Sequence, residues 1–154
     1  MTGPTSKPPP NLHATVIVIG DRGILIRGAS GSGKTTLALA LLAAGRAAGR
    51  NAALLADDQV LLTARGDRLV CLAPRTIAGL VEVRGLTPLP IAHEGAAVVD
   101  LVVTLVEAGD APRYDEGRRA EIAGCELPEL LLAAHNLPAA LPAVLARLSL
   151  PPFG

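Results

Sequence analysis

Short apolar runs separated by turn-forming residues fill much of the chain, and this pattern predicts a region rich in β-strands. The run Ala14–Ile19 (ATVIVI) is rich in β-branched residues. A second apolar run at 24–27 follows a glycine-bounded turn, so the two runs together predict a hairpin. Further strands are predicted for the apolar runs at 52–56, 60–64, 69–73 and 98–106.

Two stretches have the composition of helices. Residues 36–48 are rich in Ala and Leu and contain no proline, which predicts a largely buried helix. Residues 137–148 have Leu and Ala at helical spacing, although Pro138 and Pro142 argue against one uninterrupted helix. The end of the chain is therefore predicted to be helical, after a charged loop at 108–119.

The order of these elements predicts one α/β domain with a sheet of both parallel and antiparallel strands. The chain has 154 residues, the size of a single domain, and shows neither an internal repeat nor a clear linker. We assign this domain to residues 11–154. Residues 1–10 are polar and proline-rich, and we predict a disordered tail there.

Composition narrows the classes of function. Tyr114 and Phe153 are the only aromatic residues, so a stacking platform for nucleic-acid bases is not expected. Fourteen basic residues balance fourteen acidic ones, which argues against a broad surface for nucleic acid or an anionic membrane. Cys71 and Cys125 match no metal-binding spacing and suggest reduced core thiols in a soluble cytoplasmic protein.

The segment GASGSGKT at 28–35 satisfies the pattern GxxxxGK[ST] and lies between an apolar strand and a helix. Its glycines permit positive φ angles, so backbone N–H groups can turn inward around an anion, and the helix N-terminus favours the same charge. The chemistry predicts that Lys34 bridges β- and γ-phosphate oxygens and that the Thr35 hydroxyl coordinates Mg²⁺. The predicted contacts to a triphosphate or pyrophosphate are Gly28, Ala29, Ser30, Gly31, Ser32, Gly33, Lys34, Thr35 and Thr36.

Two adjacent carboxylates, Asp57 and Asp58, follow the strand predicted at 52–56. Strand alternation would point them in different directions, so that one takes a substrate proton while the other serves the metal. Glu82 and Arg84 in VEVRG would share one face of an extended segment. An ion pair between them is one explanation, and a role for Arg84 in stabilising a transferred phosphoryl group is the other.

Four motifs in order resemble the C-terminal catalytic domain of HPr kinase/phosphorylase: LHAT at 12–15, the loop GASGSGKT, ADDQV at 56–60 and VEVRGL at 81–86. The resemblance implies a fold like that of PEP carboxykinase around the nucleotide. It also implies transfer of a phosphoryl group from ATP or pyrophosphate to a serine of HPr, the phosphocarrier protein of the sugar phosphotransferase system. Many members of the family reverse the reaction with inorganic phosphate, and hexamers are typical of it.

The resemblance also implies roles for individual residues. Asp57 would be the base that deprotonates the serine, and His13 would be an active-site histidine near it. Lys34 and Arg84 would act on the phosphoryl group, and Thr35, Asp58 and Glu82 would face the metal. Without the resemblance, His13, His93 and His135 would each be expected to have structural or surface roles.

Three departures from the longer members of the family stand out. No counterpart of their N-terminal domain is present in the sequence, as in short forms that look typical of alphaproteobacterial members. The segment after VEVRG continues as LTPLPI, where family members commonly have a second glycine and an isoleucine-rich strand. Near the C-terminus, AAHNLPAA places His135 where the family presents an arginine that contacts the partner.

Two other functions fit parts of the sequence. One is a nucleotide-sensing module without turnover, suggested by the altered C-terminal region. The other is a small-metabolite kinase, for which Arg113, Arg118 and Arg119 could line a substrate cleft. The large share of aliphatic residues also suggests a homo-oligomer.

Overall fold

Residues 11–154, the part of the chain described by a computed structural model, form a main β-sheet with two helices packed on one of its faces. The tail predicted at 1–10 lies outside these residues. The strands are β1 (Asn11–Leu12), β2 (Ala14–Ile19), β3 (Arg22–Gly28), β4 (Ala52–Ala56), β5 (Val60–Arg65), β6 (Arg68–Leu72), β7 (Leu80–Val81), β8 (Leu89–Pro90), β9 (Ala96–Val106), β10 (Arg119–Ile122) and β11 (Cys125–Ala133). The helices are α1 (Lys34–Ala47) and α2 (Leu137–Arg147), with 3₁₀ turns at Arg75–Ile77 and Ala108–Asp110.

The main sheet is mixed, as predicted. Strands β2 and β3 form the expected antiparallel hairpin, and β4 pairs antiparallel with β2 on its other side. Strand β9 is the long central element: it runs parallel to β3 and to β11, and its first residues pair antiparallel with β6. The carboxyl ends of β3, β9 and β11 therefore lie at one edge of the sheet, where the predicted phosphate loop begins.

Each face of the sheet buries its own aliphatic cluster. Ile24 and Ile26 of β3 belong to the cluster that includes α1 and α2, whereas Leu25 between them belongs to the cluster on the opposite face. Both cysteines are free and buried in this second cluster, and burial raises the pKa of the Cys71 thiol to about 12. The cysteines are thus core side chains, as predicted.

The final third of the chain departs from the sequence prediction. Strands β10 and β11 were not predicted, because β11 (CELPELLLA) contains no β-branched residue and is built largely from helix-favouring ones. Its pairing with β9 overrides that local preference. Helix α2 is continuous despite its prolines, with Pro138 in the first turn and Pro142 inside. No helix in the described part of the chain is long and apolar enough to cross a membrane.

Candidate phosphate-binding and catalytic site

The predicted phosphate loop joins β3 directly to α1. Gly31 and Gly33 have φ values of 78° and 105°, the left-handed conformation that the motif predicts for its glycines. Gly28 is required for a different reason. It does not have a positive φ, but a Cβ atom there would lie 2.7 Å from Ser32 Oγ and 3.0 Å from the Leu105 carbonyl oxygen.

Lys34 is folded back over this loop and is only 6% exposed. Its Nζ donates hydrogen bonds to the carbonyl oxygens of Gly28 and Ala29, each at 3.1 Å. The same Nζ lies 3.3 Å from His13 Nε2. The lysine ammonium therefore sits at the loop, where it can meet the phosphate oxygens of a bound donor.

Asp57 is a buried carboxylate held from three directions. Its Oδ1 accepts hydrogen bonds from Thr35 Oγ1 at 2.8 Å and from Thr15 Oγ1 at 2.9 Å. Its Oδ2 accepts a hydrogen bond from the backbone N–H of Glu82 at 2.9 Å. Strand β2, helix α1 and the segment after β7 thus all meet at this one side chain.

The side chain of Asp58 points in a different direction from that of Asp57, as predicted, but strand alternation does not cause the difference. Its φ of 70° turns the chain, and its half-exposed carboxylate lines the cleft beside the loop. Asp58 Oδ1 lies 3.1 Å from His13 Nδ1. Because the other ring nitrogen of His13 faces Lys34, the imidazole connects Asp58 to the phosphate loop.

The cleft has a volume of about 830 Å³ and is open to solvent. Glu82 and Arg84 both line it. Only Leu80–Val81 of that region is a strand, and Gly85 (φ 92°) lies in the turn that follows. The strand thus ends before Glu82, and Arg84 lies in the turn, yet both residues line the same cleft. No ion pair joins them among the described residues.

His135 lies closer to the loop than the sequence indicated. Its side chain is exposed and lines the cleft, while its backbone N–H donates a hydrogen bond to the Ser32 carbonyl oxygen at 3.1 Å. Its φ of 58° is unusual for a residue other than glycine. His93, in contrast, is exposed and does not line this cleft.

Sequence reasoning missed two polar groups near the loop. One is Thr15, which contacts Asp57 and whose only signal was its place in the LHAT motif. The other is Glu129, a buried residue of β11. Arg27 Nη2 donates a hydrogen bond to Glu129 Oε2 at 2.8 Å, and Thr104 Oγ1 donates one to the same oxygen at 2.7 Å.

The charge of Glu129 is set by these neighbours. Burial by itself would raise the pKa of Glu129, but the hydrogen bonds from Thr104 and Arg27, with the charges of Arg27 and Arg118, hold that pKa below its ordinary value of 4.5. Arg27 directly precedes Gly28, so the ion pair fixes the strand end from which the loop starts. A lone Glu in a Leu-rich run gives no sequence signal of this role.

Together, these features define a P-loop domain built to bind phosphate groups, with two carboxylates beside the loop. The sequence model of the HPr Serine kinase C-terminal domain matches residues 7–133. The chain belongs to this family.

Individual relatives agree with this assignment. The chain is 28% identical over 132 residues to the HPr kinase/phosphorylase of Lactobacillus acidophilus, which covers 78% of the chain and 39% of that protein. It is 30% identical over 102 residues to that of Mycoplasma mycoides, covering 62% of the chain and 31% of the relative. The chain therefore spans about two fifths of the length of the curated relatives it matches, or less.

A solved structure shows the same fold over almost the whole domain. The Hpr(Ser) kinase/phosphatase from Coxiella burnetii superimposes with a TM-score of 0.72 at 26% identity. The match covers 90% of this chain and 95% of that one. It therefore extends beyond the residues that the family's sequence model matches.

Proposed function

We propose that the chain is a protein-serine kinase domain that transfers a phosphoryl group from ATP or pyrophosphate to a serine of an HPr-like phosphocarrier protein. The observation that carries the proposal is the phosphate loop with Lys34 folded over it, next to an open cleft that Asp58 lines. The family assignment supports the choice of acceptor. The proposal includes the reverse reaction with inorganic phosphate and a cytoplasmic location, where the free cysteines would stay reduced.

Mg²⁺ fits the residues at the loop. Thr35 Oγ1 lies 2.8 Å from Asp57, which reproduces the pairing of a loop hydroxyl and a strand-end carboxylate that hold Mg²⁺ in P-loop enzymes. Asp58 and Glu82, for which the family resemblance implies a metal-facing position, line the cleft nearby. The ion, when bound, neutralises charge on the donor phosphates.

The two aspartates suit different tasks. The family resemblance implies Asp57 as the base, yet its carboxylate is buried and already accepts three hydrogen bonds. Asp58 is half-exposed in the cleft and is backed by His13, so its contacts favour it as the group that takes the serine proton. Asp57 would then orient Thr35 beside the metal.

Matched substitutions separate these two roles. If Asp58 is the base, Asp58→Asn should lower the transfer rate by about 100-fold or more, the usual size of a general-base effect, with donor binding unchanged. Asp57→Asn should weaken Mg²⁺-dependent donor binding, measured by isothermal titration calorimetry. The opposite result would identify Asp57 as the base: Asp57→Asn would lose transfer while binding the donor normally, and Asp58→Asn would keep its transfer activity.

The small-metabolite kinase has less structural support. Its substrate cleft would need the arginines of the loop at 108–119, but these side chains make other contacts. Arg118 lies 3.6 Å from Glu129, Arg119 lies 3.7 Å from Glu126, and Arg113 stacks on Tyr114. None of the three lines the cleft at the phosphate loop.

The acceptor can be identified with a labelled donor. Purified protein is mixed with labelled ATP or pyrophosphate, Mg²⁺ and the HPr-like protein of the same source, and phosphoserine is located by mass spectrometry. A matched control replaces the acceptor serine with alanine. Label on that serine supports the proposal, whereas donor binding without transfer points to the sensor, and transfer to small molecules alone points to a metabolite kinase.

A further inference from the structure

We propose that Thr15 is a positioning residue of this site, whose buried hydroxyl holds Asp57 against Thr35. The inference rests on the proposed function, because it concerns how the same site binds a Mg²⁺-loaded phosphate donor. Thr15 is fully buried and is the second residue of β2. Its neighbours Ala14 and Val16 pack in the cluster on the far side of the sheet, so Thr15 faces α1.

Geometry gives this hydroxyl a specific task. Thr15 Oγ1 donates to Asp57 Oδ1 at 2.9 Å, the same carboxylate oxygen that accepts the Thr35 hydroxyl at 2.8 Å. The Asp58 backbone N–H lies 3.5 Å from Thr15 Oγ1, and the Asp58 carbonyl oxygen accepts the Ala14 N–H at 3.1 Å. Strand β2 therefore holds both residues of the aspartate pair.

The consequence concerns the Thr35 hydroxyl. When its proton is directed to Asp57, the lone pairs of its oxygen remain free to face a cation at the loop. This orientation requires that Asp57 Oδ1 stay in place. Asp57 Oδ1 accepts two hydrogen bonds, one from Thr35 at the end of the phosphate loop and one from Thr15 in β2. Because Thr15 lies outside the loop, its hydrogen bond can keep the carboxylate in position while the loop adjusts to a ligand.

A purely structural hydroxyl would behave differently. If Thr15 only joined β2 to the end of β4, its loss would lower stability and leave metal-dependent binding unchanged. Donor affinity is expected to rise with Mg²⁺ concentration, and the concentration that gives half of the maximal rise distinguishes the two roles. A positioning role for Thr15 predicts that this concentration changes when the hydroxyl is lost, whereas a purely structural role predicts that it does not. This quantity is measured by calorimetry at fixed donor concentration, and it does not depend on turnover.

The test uses Thr15→Val, which keeps the shape of the side chain and removes the donor, and Thr15→Ser, which restores the hydroxyl. Thr15→Val should raise the half-saturating Mg²⁺ concentration by about tenfold, the effect of losing one hydrogen bond to a charged group. Thr15→Ser should stay close to the unmodified protein. In a protein that already carries Asp57→Asn, Thr15→Val should cause little further change in the half-saturating Mg²⁺ concentration, because the carboxylate that Thr15 positions is no longer present.

Several results would overturn the role of Thr15. One is an unchanged half-saturating concentration in Thr15→Val, with or without lower thermal stability. Another is a Thr15→Ser variant as impaired as Thr15→Val. Should Thr15→Val fail to fold, Thr15→Ala, which fits the same space, is measured in its place with the same expected shift. Absence of Mg²⁺-dependent donor binding in the unmodified protein would instead refute the proposed function.

Discussion

At the scale of single residues, chemically equivalent side chains acquire different surroundings from their backbone conformation. Asp57 and Asp58 are adjacent and identical in type, yet one is buried under three donors and the other opens to the cleft. The left-handed turn at Asp58 produces the difference. The sequence predicted different directions for the two side chains, but strand alternation was the wrong reason, because the strand ends at Ala56.

Gly28 provides a residue-scale prediction. Gly28→Ala places a methyl group against Ser32 Oγ and the Leu105 carbonyl, so the loop must move away from the geometry that surrounds a phosphate. We expect donor affinity to fall at least tenfold and the free energy of unfolding to fall by about 1–3 kcal/mol. Titration calorimetry and urea unfolding measure the two effects.

The matched control is Gly95→Ala, where an added Cβ meets no atom within 4 Å and φ is not positive. That variant should retain both affinity and stability. Normal donor affinity in Gly28→Ala would show that the close approach at this glycine is not required.

At the scale of elements, the sequence predicted correctly those elements whose conformation is set by their own residues. The hairpin of β2 and β3, the phosphate loop and α1 were predicted because β-branched runs, glycines and an Ala/Leu run signal their own conformation. Strand β11 could not be predicted, since its Leu-rich sequence becomes a strand only when β9 lies beside it. The approach of His135 to Ser32 depends on the same parallel pairing, which no local signal encodes.

Glu129 yields an element-scale prediction, because it links β11 to β3 and β9. Since the pKa of Glu129 is lowered in the folded protein, its ionised form stabilises the fold fully above the ordinary value of 4.5. This contribution is lost as the pH falls through the lower folded-state pKa. Glu129→Gln should therefore reduce the free energy of unfolding by about 1–3 kcal/mol at pH 7 and by progressively less below pH 4.5.

Urea unfolding across this pH range measures the effect. Glu126→Gln serves as the control, because the Glu126 pair with Arg119 is mostly exposed and should change stability little. A stability difference for Glu129→Gln that stays constant down to strongly acidic pH would contradict a role for the ionised carboxylate.

At the scale of the whole molecule, the site is assembled where parallel strands end at one edge of the sheet. The mixed α/β fold and the phosphate loop followed from the sequence, whereas the contacts of Asp57, His13 and Lys34 required the fold, because they join residues distant along the chain. Exposed Leu80, Leu86 and Leu89 lie on and beside the β7–β8 hairpin. Such exposed apolar side chains are expected of the homo-oligomer predicted from the sequence, for which the family resemblance implies a hexamer.

Oligomerisation is checked by sedimentation equilibrium over a range of protein concentrations. We expect a species several times heavier than the 15.7 kDa chain. A single monomeric species throughout that range would refute the predicted homo-oligomer.

The most direct test of the central claim is the rate of phosphoserine formation on the HPr-like protein at saturating Mg²⁺ and donor. The unmodified protein is compared with Lys34→Ala, because Lys34 is the side chain that closes over the loop. We predict efficient transfer by the unmodified protein and a rate at least 100-fold lower in a folded Lys34→Ala variant, as expected when a charge stabilising the transferred phosphoryl group is removed. Equal rates in the two proteins, or no phosphoserine with either donor, would contradict the claim that this loop is a phosphotransfer centre.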